Sequence, residues 1–241
     1  MLYLIGLGLN KEGFSFEAYH AAAKCDKLYC ENYTIAFPYD IKDLEKDLEN
    51  PVVGVDRMFV ESLKFVEEAK KKDVGLLIYG SPLSATTHTT IIEEARKKKV
   101  KIKVIYGASV FDAIAETGLQ MYKFGKTASL PQWDTKRHFE PDSFLDLVQQ
   151  NLSIDAHTLL LVDIGLKLDD ALNEIEESCK RRKLKLSDKL VVCSHLGLDD
   201  QKIVYGTLDK LRKLKLNEPF CFIIPGKLHF AEKEMLEEYG I

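Results

Sequence analysis

Val74-Gly75-Leu76-Leu77-Ile78-Tyr79-Gly80-Ser81-Pro82-Leu83-Ser84-Ala85-Thr86-Thr87-His88-Thr89-Thr90 holds a run with no polar side until Tyr79, then a loop rich in hydroxyls. A run apolar on both faces reads as a central strand of a parallel sheet. The loop therefore leaves the carboxyl edge, where open α/β sheets place their ligands. Gly80 permits close backbone approach, Pro82 stiffens the turn, and Thr86 or Thr87 suits a helix cap. Four hydroxyls and one imidazole within the nine residues Gly80 to His88 exceed what capping needs, so this loop is a candidate ligand contact.

Working outward, short apolar runs alternate with helical patterns. Leu2 to Ile5, Leu28 to Cys30, Tyr33 to Phe37 and Ile102 to Tyr106 read as strands or strand pieces. Phe16 to Lys24, entered through Ser15, Asp56 to Lys71 and Thr87 to Lys99 read as helices. Later come helix 142–151, strand 157–163, helix 168–182, strands 189–194, 202–206 and 220–224, and helix 229–238. Pro131-Gln132-Trp133 to Pro141-Asp142 interrupts the rhythm. It reads either as a crossing between two lobes or as a long loop inside one. The alternation predicts two α/β lobes, 1–110 with a mostly parallel sheet and 111–241 with a mixed sheet, and a small-molecule cleft between them.

Two further loops leave strand ends in the same way. Gly6-Leu7-Gly8 follows the first strand, and Gly107-Ala108-Ser109-Val110 follows the strand at 102–106. The dinucleotide fingerprint G-x-G-x-x-G would need a third glycine where Lys11 stands, although Glu31 is placed to serve as its acidic residue. Gly118 to Gly125 reads by composition as a bent connector, and His229 as a helix-start residue.

Composition narrows the class. The 241 residues are 46% hydrophobic and 30% charged, enough for one or two cores. Lys plus Arg is 34 against 38 for Asp plus Glu, a net charge of −4, which argues against broad nucleic-acid binding. The clusters at Lys70-Lys71-Lys72, Arg96 to Lys99 and Lys180 to Lys183 fall at helix ends, where positive charge suits the dipole. No apolar run is long enough for a bilayer, and the first residues read as a strand rather than a leader. Five cysteines, odd in number and without a C-x-x-C pair, predict reduced thiols and a cytoplasmic protein. The six histidines show no zinc-binding spacing, so no metal is expected, and the G-x-x-x-x-G-K-S/T and G-x-S-x-G motifs are absent.

Taken together, the loops resemble the diphthamide-pathway branch of the tetrapyrrole-methylase-like family of S-adenosylmethionine-dependent methyltransferases. Tyr3-Leu4-Ile5-Gly6-Leu7-Gly8-Leu9 is similar to that branch's Y-x-x-G-L-G-L opening, and Gly80 to Thr89 resembles its G-D-P-L-V-A-T-T-H-T segment. Ala108-Ser109-Val110, Gly118 to Gly125, His157 to Ile164 and Pro225-Gly226-Lys227-Leu228-His229 continue the likeness to residue 229. The resemblance implies S-adenosyl-L-methionine as cofactor, with contacts at Leu9, Ser81, Ser84, Ser109, Val110, Val162, Ser194 and Phe220. It implies as substrate translation elongation factor two, whose 3-amino-3-carboxypropyl-histidine is methylated successively on its α-amino nitrogen. It also implies a homodimer, and it names no catalytic side chain. Ser81 departs from the family's aspartate, and Phe220 stands where related sequences often carry histidine.

Overall fold

The computed structural model describes residues 1–241, which form two compact units, Met1–Ala113 and Ile114–Ile241. The chain passes from one to the other three residues beyond the expected 110/111. That expected point would cut the short helix Val110–Ala113 at its first residue.

The first unit is built on five parallel strands: β1 (Leu2–Gly6), β2 (Lys27–Glu31), β3 (Val52–Val55), β4 (Val74–Ile78) and β5 (Ile102–Ile105). Their order is β3-β2-β4-β1-β5, which puts the apolar run Val74–Ile78 at the centre. All five residues of β4 are buried. Strand alternation sends Leu76 and Ile78 to one core with Leu2, Leu4, Phe65 and Ile91, and Leu77 to the other with Ile5, Leu28, Leu44 and Ala22. Helices therefore cover both faces.

Three local expectations differ from the structure. The helix expected over 56–71 is two short helices, Arg57–Glu61 and Lys64–Glu68, because Leu63 turns left-handed at φ 55°. Val60 and Phe65 are five apart, about 140° around a continuous helix, so one unbroken helix would not bury both. Tyr33 to Phe37 is a loop: the Asn32 amide donates to the Val55 carbonyl, and regular ladder pairing stops there. Helix Ile41–Leu48 and strand β3, short and interrupted by Gly54, are additions to the sequence reading.

The second unit carries β6 (Ala128–Leu130), β7 (Thr158–Val162), β8 (Leu190–Ser194), β9 (Lys202–Gly206) and β10 (Phe220–Ile224) in the order β6-β7-β10-β8-β9. β6 and β7 are parallel and the remaining pairs antiparallel, the mixed sheet expected. Helices Phe144–Leu152 and Leu168–Arg182 pack Phe144, Val148, Leu172 and Ile175 on Leu160, Val192 and Phe222. The stretch 131–142 lies wholly in this unit, so it is a loop and not a crossing. Its Trp133 amide donates to Glu174 (3.0 Å), its indole to the Pro141 carbonyl (3.1 Å), and Arg181 stacks 4.7 Å over the indole. Arg181 pairs with Glu140 and Arg182 with Asp142. The basic run at 180–182 is thus largely consumed by carboxylates. No helix is long and apolar enough to cross a membrane.

Candidate functional site

The carboxyl ends of β1, β4 and β5 each continue into a glycine loop, and these loops touch. Gly8 and Gly80 form an isolated antiparallel bridge, N–H to O=C in both directions, at 3.2 and 2.9 Å. Both glycines are left-handed, at φ 72° and 73°. Gly107 completes the contact: a β-carbon there would lie 2.6 Å from the Gly80 oxygen and 2.7 Å from the Gly8 nitrogen. One on Gly6 would lie 2.7 Å from the Gly107 nitrogen and 2.8 Å from the Gly80 oxygen. Three backbones approach more closely than any side chain allows.

Five expected cofactor contacts sit on this edge. Leu9 is buried, and its carbonyl accepts from the Tyr79 hydroxyl at 2.7 Å. Burial holds the Tyr79 phenol well above its ordinary pKa, and burial with the neighbouring Tyr79 does the same for Tyr39. Ser81 and Ser84 are half-buried, close a turn through Ser84 N–H to Ser81 O (3.1 Å), and take no protein partner for their hydroxyls. Ser109 is different. Its amide and hydroxyl both donate to Asp112 Oδ2, at 2.7 and 3.1 Å, so the aspartate of the first turn reaches back to the residue before the helix that Val110 opens.

The other three expected contacts lie at one edge of the second unit's sheet. Register pairs Phe220 with Ser194, and Cys221 with Leu161, which brings Val162 level with Phe220. Ser194 donates to the Asn217 carbonyl (2.7 Å), and Phe220 packs edge-on against Phe222. Beside them His195 Nδ1 lies 2.8 Å from Asp200. A groove of about 670 Å³ between Ile175–Lys180 and Thr207–Asp209 contains none of the expected residues.

Two buried polar clusters lie outside the expected set. Glu31, the candidate acid of the dinucleotide reading, is fully buried and lies 2.8 Å from His88 Nε2, so it is not presented to a ribose. Burial pulls the His88 pKa down, but Glu31 and the Pro82 carbonyl outweigh it and leave it raised. In the second unit, Glu232 gathers three stretches that carried the resemblance. Its carboxylate meets Lys123 (2.5 Å), His157 (3.1 Å) and the amides of Gln120 (3.0 Å) and His229 (2.7 Å). Burial works against the charge, yet these partners bring its pKa down to about 2. His157, buried and beside Lys123, is lowered despite Glu232. Gly118 to Gly125 is thereby more than a connector, while His229 is the helix-start residue expected.

Comparison with known proteins bears on these two edges. The family model for tetrapyrrole (corrin/porphyrin) methylases matches residues 1–212. A diphthine synthase of Methanococcus maripaludis is 36% identical over 98% of both chains. This chain belongs to the diphthine synthase family of methylases. A diphthine methyl ester synthase of Dictyostelium discoideum is 33% identical, covering 100% of this chain and 98% of its own. A solved diphthine synthase structure superposes with a TM-score of 0.89 at 30% identity, covering 99% of this chain and 95% of that one. Membership makes the chain a methyltransferase of the diphthamide pathway with the tetrapyrrole-methylase fold.

Proposed function

We propose that the chain transfers methyl groups from S-adenosyl-L-methionine to translation elongation factor two. The acceptor is the α-amino nitrogen of its 3-amino-3-carboxypropyl-histidine, methylated successively to give diphthine. The observation that carries this reading is the contact of Gly8, Gly80 and Gly107 at the carboxyl edge of the parallel sheet. Beside it stand two half-buried serine hydroxyls without protein partners, suited to the hydroxyls and amide-like edges of an adenosyl group. Leu9, Ser81, Ser84, Ser109 and Val110 form this part of the proposed cofactor contact. Because Ser109 spends its amide and hydroxyl on Asp112 and its carbonyl on the Asp112 and Ala113 amides, its proposed contribution is packing against the ligand. Val162, Ser194 and Phe220 are proposed as further contacts on the strength of the family resemblance.

The cofactor supplies an already activated methyl group. What the chain contributes is alignment, for which about 7–11 kcal/mol is available in well-oriented reactions. The attacking amine has to be uncharged, and water suffices to take its proton, so no side chain is assigned as base. We further infer a cytoplasmic homodimer, supported by five free cysteines and by the family. Light scattering of the purified protein measures that state.

The test supplies labelled cofactor together with either elongation factor two bearing the unmethylated side chain or a tetrapyrrole precursor. Label on the translation factor is expected. Transfer to the tetrapyrrole alone would replace this reading.

A further inference from the structure

His88 is 2% exposed, and both its ring nitrogens face acceptors. Nδ1 lies 2.9 Å from the Pro82 carbonyl, and Nε2 lies 2.8 Å from Glu31 Oε2 at the carboxyl end of β2. Acceptors beside both nitrogens favour the doubly protonated ring, which hydrogen-bonds through Nδ1 and meets Glu31 through Nε2 as an ion pair without hydrogen-bond geometry. Glu31 is itself steadied by Thr34, whose hydroxyl donates to Oε1 at 2.6 Å. The same Pro82 carbonyl also accepts from the Thr86 hydroxyl at 3.2 Å. The loop between them doubles back through Ala85, which is left-handed at φ 54°. A charged pair is an expensive way to fill this space, since a buried apolar side chain would pack there without desolvation. Nor does the ring cap the helix it precedes, for it makes no cap hydrogen bond.

We infer that His88, anchored by Glu31, is a positioning residue for the cofactor. It fixes the Pro82 carbonyl and so the Ser81–Ser84 turn that offers its hydroxyls to the adenosyl group. This rests on the cofactor contact proposed above for that turn. The pair ties the carboxyl end of β2 to the far end of the loop that leaves β4, its neighbour in the sheet, so the loop is referenced to the sheet and not to itself alone.

The test keeps the buried charge balanced. In a Glu31→Gln background, His88→Asn retains a donor near the Nδ1 position, whereas His88→Gln reaches only toward the Nε2 position. Calorimetry with S-adenosylhomocysteine on the full chain, with melting temperature recorded alongside, should show His88→Gln weaker by about tenfold and His88→Asn recovering most of that loss. Thr86→Val, on a half-exposed side chain that leaves the pair intact, should weaken binding by about threefold through the same carbonyl. Equal affinity in all variants, or equal loss in the Asn and Gln variants, overturns the inference. So does an unchanged Thr86→Val if the double variants do not fold. Wild-type protein that binds no S-adenosylhomocysteine would instead bring down the cofactor reading itself, and this inference with it.

Discussion

Gly8 and Gly80 exchange two backbone hydrogen bonds across loops that follow different strands, and Gly107 lies against both. The edge is therefore assembled from main chain, and its weakest points are the places where a β-carbon has nowhere to go. Gly107→Ala puts a methyl within 2.7 Å of two backbone atoms that cannot rotate away. The expected cost is about 1–3 kcal/mol of stability, with cofactor binding lost in whatever protein remains folded. Urea denaturation and calorimetry on the same preparation measure both.

Ser81 provides the complementary experiment. Its hydroxyl is free of protein partners, and the family pattern places a carboxylate there. Ser81→Asp should bind S-adenosyl-L-methionine more tightly by about fivefold, the difference between a neutral and a charge-assisted hydrogen bond. Weaker binding would mean that the surrounding contacts have rearranged around serine.

Removing Glu232 should be far more damaging than its distance in sequence from any glycine loop suggests. Glu232→Ala strands Lys123, His157 and two amides without their acceptor. A loss of roughly 3–5 kcal/mol is expected, seen as a lowered denaturation midpoint. Kinetic constants per folded molecule should change little, because no proposed cofactor contact touches this carboxylate.

The two buried histidine–glutamate pairs give opposite responses to pH. Glu232 has its pKa lowered from 4.5 to about 2, so its stabilisation is complete above 4.5 and fades as pH falls toward 2. His157, also lowered, adds in the same direction by resisting protonation below its ordinary 6.5. His88 is raised, so its contribution is complete below 6.5 and is lost as pH climbs through the raised value. Denaturation midpoints across pH should fall on both sides of a maximum. Glu31→Gln/His88→Gln should flatten the alkaline limb alone.

Much of this architecture is legible in the sequence. β4 announces itself because it is buried on both faces, and each glycine loop because it directly follows an apolar run. The contact among Gly8, Gly80 and Gly107 was not legible, since it joins residues whose spacing carries no periodic signal. β6 has three residues and no room for a pattern. Leu63 looks like a helix interior until the need to bury both Val60 and Phe65 forces a break. Glu31 shows how a local cue misleads: an acid at a strand end fits a ribose partner, and only tertiary packing reveals His88. Ser109 misled in a smaller way, its hydroxyl being consumed by an aspartate three residues on.

The convergence on Glu232 has a consequence for genetics. The stretches that carry the resemblance in this half of the chain are the ones that meet on this carboxylate and keep the scaffold upright. Damage at His157 or Lys123 should deplete the protein in cells while sparing turnover by each surviving molecule. A screen scored only on growth would mistake such positions for catalysts, and dosage suppression by overexpression would tell the two apart.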